Sequence, residues 1–381
     1  MGSINGHAAH GKAVQPKDLD WPKLKFGLTP TNGHVRYTYS QGRWSKGVWV
    51  EEPFINLHVG SAALNYGQSA FEGLKAFRAP DGSVRVFRPQ ENSARLNHSA
   101  EFLDVSHVPE DLFLEAVERC VAGNLEFVPP HAPSAGMGAL YLRPILFASG
   151  EELMLSTPDE LTFLVFATPV GSYYGPSAEV PAVDALVLDN FDRTAPRGTG
   201  SAKLAGNYAP VYRHMREARL AGYPITLHLD SATRTLVDEF STSNALFISY
   251  PPISSPDTAP TDVTLHVPQS SSILRSVTTK SIVQLAQSFG WTVDARPIAF
   301  QEVIDGAFTE CAAAGTAAVV TIVRSISYKA GDATMKVTIG AGKAGPCWLR
   351  VLAELTALQC QTSPDPYSWL WPSQGIQPSS P

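Results

Sequence analysis

GTGSAKLAGNY, residues 198–208, sets one lysine among small and apolar residues with no acid beside it. A surface lysine normally keeps polar neighbours. A phosphate-cradling lysine follows a helix-opening glycine and precedes Ser or Thr; Lys203 follows Ser201-Ala202 and precedes Leu204, so the P-loop spacing fails at both flanks. Two readings remain open from this segment alone. Either the stem is buried and the amine snorkels to water, or the amine is reactive. Burial disfavours the ammonium form, and an uncharged lysine amine condenses with aldehydes.

The rest of the chain narrows the setting. A length of 381 residues suggests two domains with room for sizeable cores. A hydrophobic content of 44% against 17% charged residues describes a soluble globular protein. The net charge of −6, with basic residues dispersed, offers no field for nucleic acid or an anionic membrane. Cys120, Cys311, Cys347 and Cys360 show neither C-x-x-C nor zinc-ligand spacing, which points to free thiols in a reduced compartment. The N-terminus lacks an apolar signal core, its first arginine is Arg36, and Gly6 breaks the myristoylation pattern. The most apolar run, residues 312–323, is too short to span a bilayer. The cytoplasm is the expected location.

Along the chain, residues 1–20 read as a flexible tail. Alternation predicts strands at 34–40, 47–52 and 84–89, and apolar runs predict buried strands at 139–149 and 161–170. Helices are predicted at 92–103, 110–127, 207–222 and 277–289, the second from its stripe of Leu112, Leu114, Val117, Val121 and Leu125. YYGPSAEVPAV (173–183) reads as the linker between an N-terminal domain, 21–172, and a C-terminal domain, 184–381. Beyond it come a strand at 184–190, a hairpin of 224–230 with 233–240 turning at Ser231-Ala232, an irregular loop at 252–262 and a strand near 317–323. PYSWLWP, residues 366–372, is expected to lay its tryptophans on a domain surface or a dimer interface.

Read one at a time, the remaining polar residues are unremarked. Glu239 is a surface carboxylate, Arg95 a solvated helix residue, and Tyr66, Phe71 and Tyr141 are as well explained by core packing. Together they say more. NYGQSAFEGLKAF (65–77), FRPQENSARL (87–96), LYLRPILF (140–147), SAKLAGNY (201–208), DEFSTSN (238–244) and AAGTAAV (313–319) resemble, in order, the blocks of the branched-chain amino acid aminotransferases. The resemblance runs from about residue 25 to 372.

That resemblance implies an α/β (α+β) enzyme of fold-type IV. It would have a smaller N-terminal α/β domain, a larger C-terminal pseudo-barrel domain that binds pyridoxal phosphate, and a homodimeric state. It implies an aminotransferase that moves the amino group between L-branched-chain or related hydrophobic amino acids and 2-oxoglutarate. Lys203 matches the lysine that tethers the cofactor and carries the proton. Glu239 matches the carboxylate facing the ring nitrogen, and Tyr208 the hydrogen-bond partner of the ring hydroxyl. Arg95, Thr242, Val277, Thr278 and Thr316 match the remaining cofactor contacts, with Val277 and Thr278 at a helix start where free N–H groups hold phosphate. Tyr66, Phe71, Tyr141 and Tyr173 match walls of the side-chain pocket. The Thr316 and Ala317 N–H groups match the α-carboxylate turn, and Arg143 the arginine for the second carboxylate of glutamate.

Departures from the family pattern bear on substrate rather than cofactor. Phe240-Ser241 stand where a small residue and glycine are usual, Arg275-Ser276 where Pro-Gly is usual, and Met154-Leu155 where Gly-Val is common. Ser276 is expected to reshape its turn, since only glycine takes φ > 0 cheaply. These changes suggest a paralogue with shifted amino-acid preference. A D-amino acid transaminase or lyase of the same fold, and a non-catalytic homologue that serves as a binding or dimer partner, are the alternatives. The scattered histidines form no metal motif, and no metal is expected.

Overall fold

The computed structural model describes residues 15–131, 138–171, 180–252, 259–317 and 319–376. Two nine-stranded sheets carry the chain. The first takes β1 (His34–Ser40), β2 (Arg43–Trp44), β3 (Val48–Val50), β4 (Ser69–Phe71), β5 (Leu74–Arg78), β6 (Val84–Phe87), β7 (Ala139–Ala148) and β8 (Leu161–Val170). The second takes β9 (Ala182–Val187), β10 (Ile225–Leu229), β11 (Val237–Phe240), β12 (Ser243–Ser249), β13 (Thr264–Pro268), β14 (Thr292–Arg296), β15 (Glu310–Gly315), β16 (Val319–Ala330) and β17 (Ala333–Thr338). The last strand, β18 (Leu370–Ile376), returns to the first sheet and pairs antiparallel with β6. Helices α1 (Ala62–Tyr66), α2 (Pro89–Phe102), α3 (Glu110–Gly123), α4 (Val211–Leu220), α5 (Val277–Ser288), α6 (Phe300–Ile304) and α7 (Pro346–Gln359) pack around them.

In the first sheet the order is β18-β6-β5-β7-β8-β1-β2, with β3 on β1. Long β7 serves two partners: its first half pairs with β5 and its second with β4. In the second sheet β11 also pairs with β12, which closes the path β11-β10-β9-β16-β15-β12 into a barrel.

The expected strands at 34–40, 139–149 and 161–170 form, because their apolar residues bury on both faces or on alternate positions. Three expectations differ. The helix predicted from Asn207 begins at Val211, since the Asn207 side chain is held on Thr199 O and Ala202 O, 2.8 and 3.0 Å away. The hairpin of β10 and β11 turns through Ser231-Ala232 but by a longer loop, so its second strand starts at Val237 rather than Thr233: Leu229 pairs with Val237, and the Asp230 carboxylate accepts from the N–H groups of Thr233, Thr235 and Leu236. Within PYSWLWP, Trp369 enters the core against Phe87 and Tyr367, while Trp371 is half-buried on β18 and Pro366 and Ser368 stay exposed. Most of the proline-rich stretch 173–183, and residues 253–258 of the loop at 252–262, lie outside the described residues.

Three apolar clusters hold this together. One, with Phe113 and Phe163 stacked at 5.8 Å, lies between the first sheet and α2 and α3. One fills the barrel around Leu227, Phe240, Phe247 and Ile326. The third bridges the sheets, bringing Phe77 and Tyr141 of the first against Leu246 and Ile322 of the second, with Trp348 of α7. Trp348 is fully buried there, so Trp348→Ala should cost about 3–5 kcal/mol in urea unfolding, against less than about 0.5 for Leu220→Ala on the exposed face of α4.

Candidate active site

Lys203 is pinned by its backbone before its side chain is considered. Its N–H donates to Ser99 Oγ of α2 at 2.8 Å, and its carbonyl accepts from Phe71 N of β4 at 3.1 Å. Leu204 bridges to Ala70 of the same strand. The segment between the sheets is therefore stitched to the first one, and the Lys203 side chain points along the seam. Its Nζ donates to Tyr208 Oη at 3.0 Å and lies 4.7 Å from the centre of the Phe71 ring. Phe71 and Tyr208 meet edge to face at 5.0 Å.

Arg143 joins the same group. Its guanidinium lies 4.9 Å from the Phe71 ring centre and donates to Tyr141 Oη at 3.0 Å. Tyr141 is held from the other side by Phe26, 4.9 Å away and edge-on. Gly73 makes room for it: a Cβ at that position would lie 2.0 Å from Tyr141 Oη. The structure thus brings together Lys203, Tyr208, Phe71, Tyr141 and Arg143.

Two further pairs of charges are taken out of water. Glu239 on β11 is buried, paired with Arg193, and accepts from Asn244 Nδ2 at 2.8 Å and Leu274 N at 3.2 Å. Burial pushes its carboxyl above the ordinary value, while Arg193 and the two donors pull the other way. Glu72 accepts from Arg95 Nε and Nη2, both at 2.7 Å, and from Asn92 Nδ2 and Gly73 N. Burial weighs against the Arg95 charge, but Glu72 outweighs it and holds the guanidinium above its usual value. The remaining Arg95 nitrogen, Nη1, donates to Arg275 O at 2.9 Å.

Helix α5 begins where Arg275 ends. Ser276 Oγ caps Thr279 N, and Ser276 O accepts the first in-helix bond from Lys280 N, so helix geometry leaves the Val277 and Thr278 N–H groups open at the end. Ser276 sits at φ −85°, so serine serves as the cap with ordinary extended backbone and needs no left-handed conformation. Thr242 turns the β11–β12 hairpin, and Thr316 and Ala317 turn the β15–β16 hairpin. These tips abut at Gly315, where a Cβ would lie 3.2 Å from Ser243 Cβ. Phe240 points into the barrel core, and Ser241 bonds His228 Nε2 at 2.8 Å.

Tyr66 is not part of this group. It is half exposed on α1 and donates to Leu153 O at 2.7 Å, beside exposed Met154 and Leu155. Tyr173 lies outside the described residues. Sequence reasoning assigned no role to Arg193, Glu72 or Asn244. Glu72, a lone acid in the apolar text AFEGLKAF, carried a signal; Arg193, in NFDRTAP, carried none. Among the described residues no group of His, Cys, Asp and Glu is placed to hold a metal, and no helix is long and apolar enough to cross a membrane.

The donor set suits one kind of group: an aldehyde-bearing aromatic ring with a phosphate arm. It offers an amine with a phenol beside it, a buried carboxylate, a buried guanidinium and an open helix end. Comparisons agree. Residues 69–326 match the amino-transferase class IV family. Transaminase AMT5 of Alternaria alternata is 42% identical over 98% of this chain and 96% of its own. The branched-chain amino acid aminotransferase gloG of Glarea lozoyensis is 40% identical over 92% of this chain and 95% of its own. The branched-chain amino acid aminotransferase of Escherichia coli superposes with a TM-score of 0.69 at 26% identity, covering 88% of this chain and 98% of that one. Seams, barrel and blocks lead to one statement: the chain belongs to the class IV aminotransferases, pyridoxal phosphate enzymes of fold-type IV.

Proposed function

We propose that the enzyme transfers the amino group of an L-branched-chain or similar apolar amino acid to 2-oxoglutarate, working as a homodimer in the cytoplasm. The observation that carries the reading is the Lys203 amine, hydrogen-bonded to Tyr208 and bordered by the Phe71 ring, with Arg143 across that ring. Apolar walls beside one cation suit a pocket that takes a greasy side chain in one half-reaction and a second carboxylate in the other. Arg143 has capacity for it, since its Nε is buried with no hydrogen-bond partner among the described residues.

Bound pyridoxal phosphate supplies a ring that draws off the electron pair left when the substrate loses its α-proton. The protein does the rest. Lys203 would tether the cofactor until the substrate's amine displaces it, and its freed Nζ would then take that proton and return it at the other end of the transfer. Tyr208 Oη, 3.0 Å away, orients the amine. Glu239, kept as a carboxylate partner by Arg193, holds a proton on the ring nitrogen. Arg95, Thr316 and the N–H groups of Val277 and Thr278 hold the phosphate, with Thr242 at the neighbouring tip. Thr316 and Ala317 N–H hold the substrate's α-carboxylate, and Tyr141 and Phe71 exclude water.

A second copy is the proposed cover for the exposed apolar surface of Val59, Leu64, Tyr66, Met154 and Leu155, of which Leu155 is 85% exposed. Tyr66 and Tyr173 are proposed to wall the substrate pocket in that assembly.

Four measurements test these statements and the scaffold beneath them. In a leucine/2-oxoglutarate assay, Lys203→Ala should lower kcat by about 10³-fold or more, and an unaffected rate defeats the reading. Arg143→Ala should raise the KM for 2-oxoglutarate about tenfold while leaving that for leucine within about twofold. Sedimentation should find a dimer that Leu155→Glu splits; an active wild-type monomer defeats the dimer. Glu72→Ala, which strands a buried guanidinium, should destabilise the fold by about 3–5 kcal/mol in chemical unfolding.

A further inference from the structure

Lys203 is half-buried, and a second lysine is withdrawn further from water. Lys75 lies on β5 between Leu74 and Ala76, paired in register with Tyr141, and is 9% exposed. Among the described residues no carboxylate pairs with it. Its Nζ donates to one group among the described residues, Ala317 O, at 2.8 Å. That carbonyl belongs to the β15–β16 tip, 242 residues along the chain and on the other sheet. Lys75 also shares the lining of a cavity of about 20 Å³ with Gly73, Asn92, Val277, Thr278 and Thr316.

The tip it holds does not rest easily on its own. Val319, which closes the turn opposite Gly315, has φ +63°. A β-branched residue in the left-handed region is strained and persists only where its surroundings dictate the conformation. An ammonium stripped of water is a strong donor, and the Ala317 carbonyl is its anchor. Anchoring that carbonyl ties the peptide unit after Ala317 to the first sheet, and so restricts how far the turn that carries the Thr316 and Ala317 N–H groups can move. Burial has lowered the Lys75 pKa to about 8, with only the Cys360 thiol opposing, so the ammonium is kept at a cost in solvation that packing alone does not explain.

We infer that Lys75 is a positioning residue for the substrate's α-carboxylate: from the first sheet it holds the Thr316–Ala317 turn of the second in the conformation that presents its N–H groups. This deepens the proposed function and rests on reading that turn as the carboxylate site. It acts through the turn and touches no reacting atom.

The test separates carboxylate recognition from folding and from cofactor retention. Lys75→Met is prepared as holoenzyme and checked for cofactor absorbance. Inhibition by 4-methylpentanoic acid, which has the carboxylate but no amine, is compared with the half-reaction of 3-methylbutylamine, which has the amine but no carboxylate. The expected result is an inhibition constant and a leucine KM raised about tenfold, with the amine half-reaction within about twofold of wild type. Lys75→Arg keeps charge and donor but displaces the carbonyl, so it should shift the same ratio by about threefold, and it serves if Lys75→Met does not fold. Equal effects on acid and amine, or none on either, overturn the inference. So does loss of cofactor with undiminished affinity for the acid after reloading, which would assign Lys75 to the phosphate. A wild type that turns over no amino acid defeats the proposed function instead.

Discussion

Glu72 and Arg95 face each other in the seam between the sheets, both out of water, and neither is tolerable there without the other. Their pairing organises what surrounds it. Glu72 sits at the corner between β4 and β5 and takes the N–H of Gly73, so it fixes the turn that carries Phe71. Arg95 extends from α2 to the carbonyl of Arg275, the residue before the cap of α5. One ion pair therefore sets the distance between the aromatic wall beside Lys203 and the open helix end across the seam. Arg193 and Glu239 repeat the device on the barrel side, where Glu239 also takes Leu274 N and Arg193 the Ser272 carbonyl at 2.6 Å. Rigid dipoles and charges placed before a ligand arrives are what an enzyme needs to stabilise charge that develops later.

Much of the fold was readable because local pattern and burial coincide. β7 and β8 are apolar runs because both faces are covered, and α5 begins at Val277 where the sequence places a helix start. What escaped was decided by distant partners. Nothing in PYSWLWP announces that it will become β18, since its strand character comes from pairing with β6 far earlier in the chain. The late start of α4 was hidden likewise, because the side chain of Asn207 makes its bonds to a loop rather than to a helix.

The site was readable as a set and opaque residue by residue. Lys203 in its own segment left two readings open, and the motif blocks, taken together, chose between them. The geometry gathers Lys203, Tyr208, Phe71, Tyr141 and Arg143 but leaves Tyr66 on the surface of the same chain. The charges that neutralise the site were harder to see. A sequence shows that a charged residue exists, and only the fold shows which opposite charge it meets; Arg193 and Glu239 lie on different segments with no shared period.

Position also sorts the departures from the family pattern. Phe240 fills the barrel core, Ser241 is tied to a buried histidine, and Ser276 caps α5, so each serves the scaffold. Arg275 contributes its backbone carbonyl to Arg95 while its side chain is exposed. Met154 and Leu155 remain, exposed and apolar, beside Tyr66. An apolar pocket separates substrates by only about 1–3 kcal/mol per methylene, so small changes of bulk at its wall are enough to shift a preference. In the proposed dimer, the exposed apolar surface with Tyr66, Met154 and Leu155 is a rim that one chain could offer its partner. Selectivity would then be written on the surface of one copy and read in the cleft of the other, while the buried ion pairs Glu72–Arg95 and Glu239–Arg193 stay untouched.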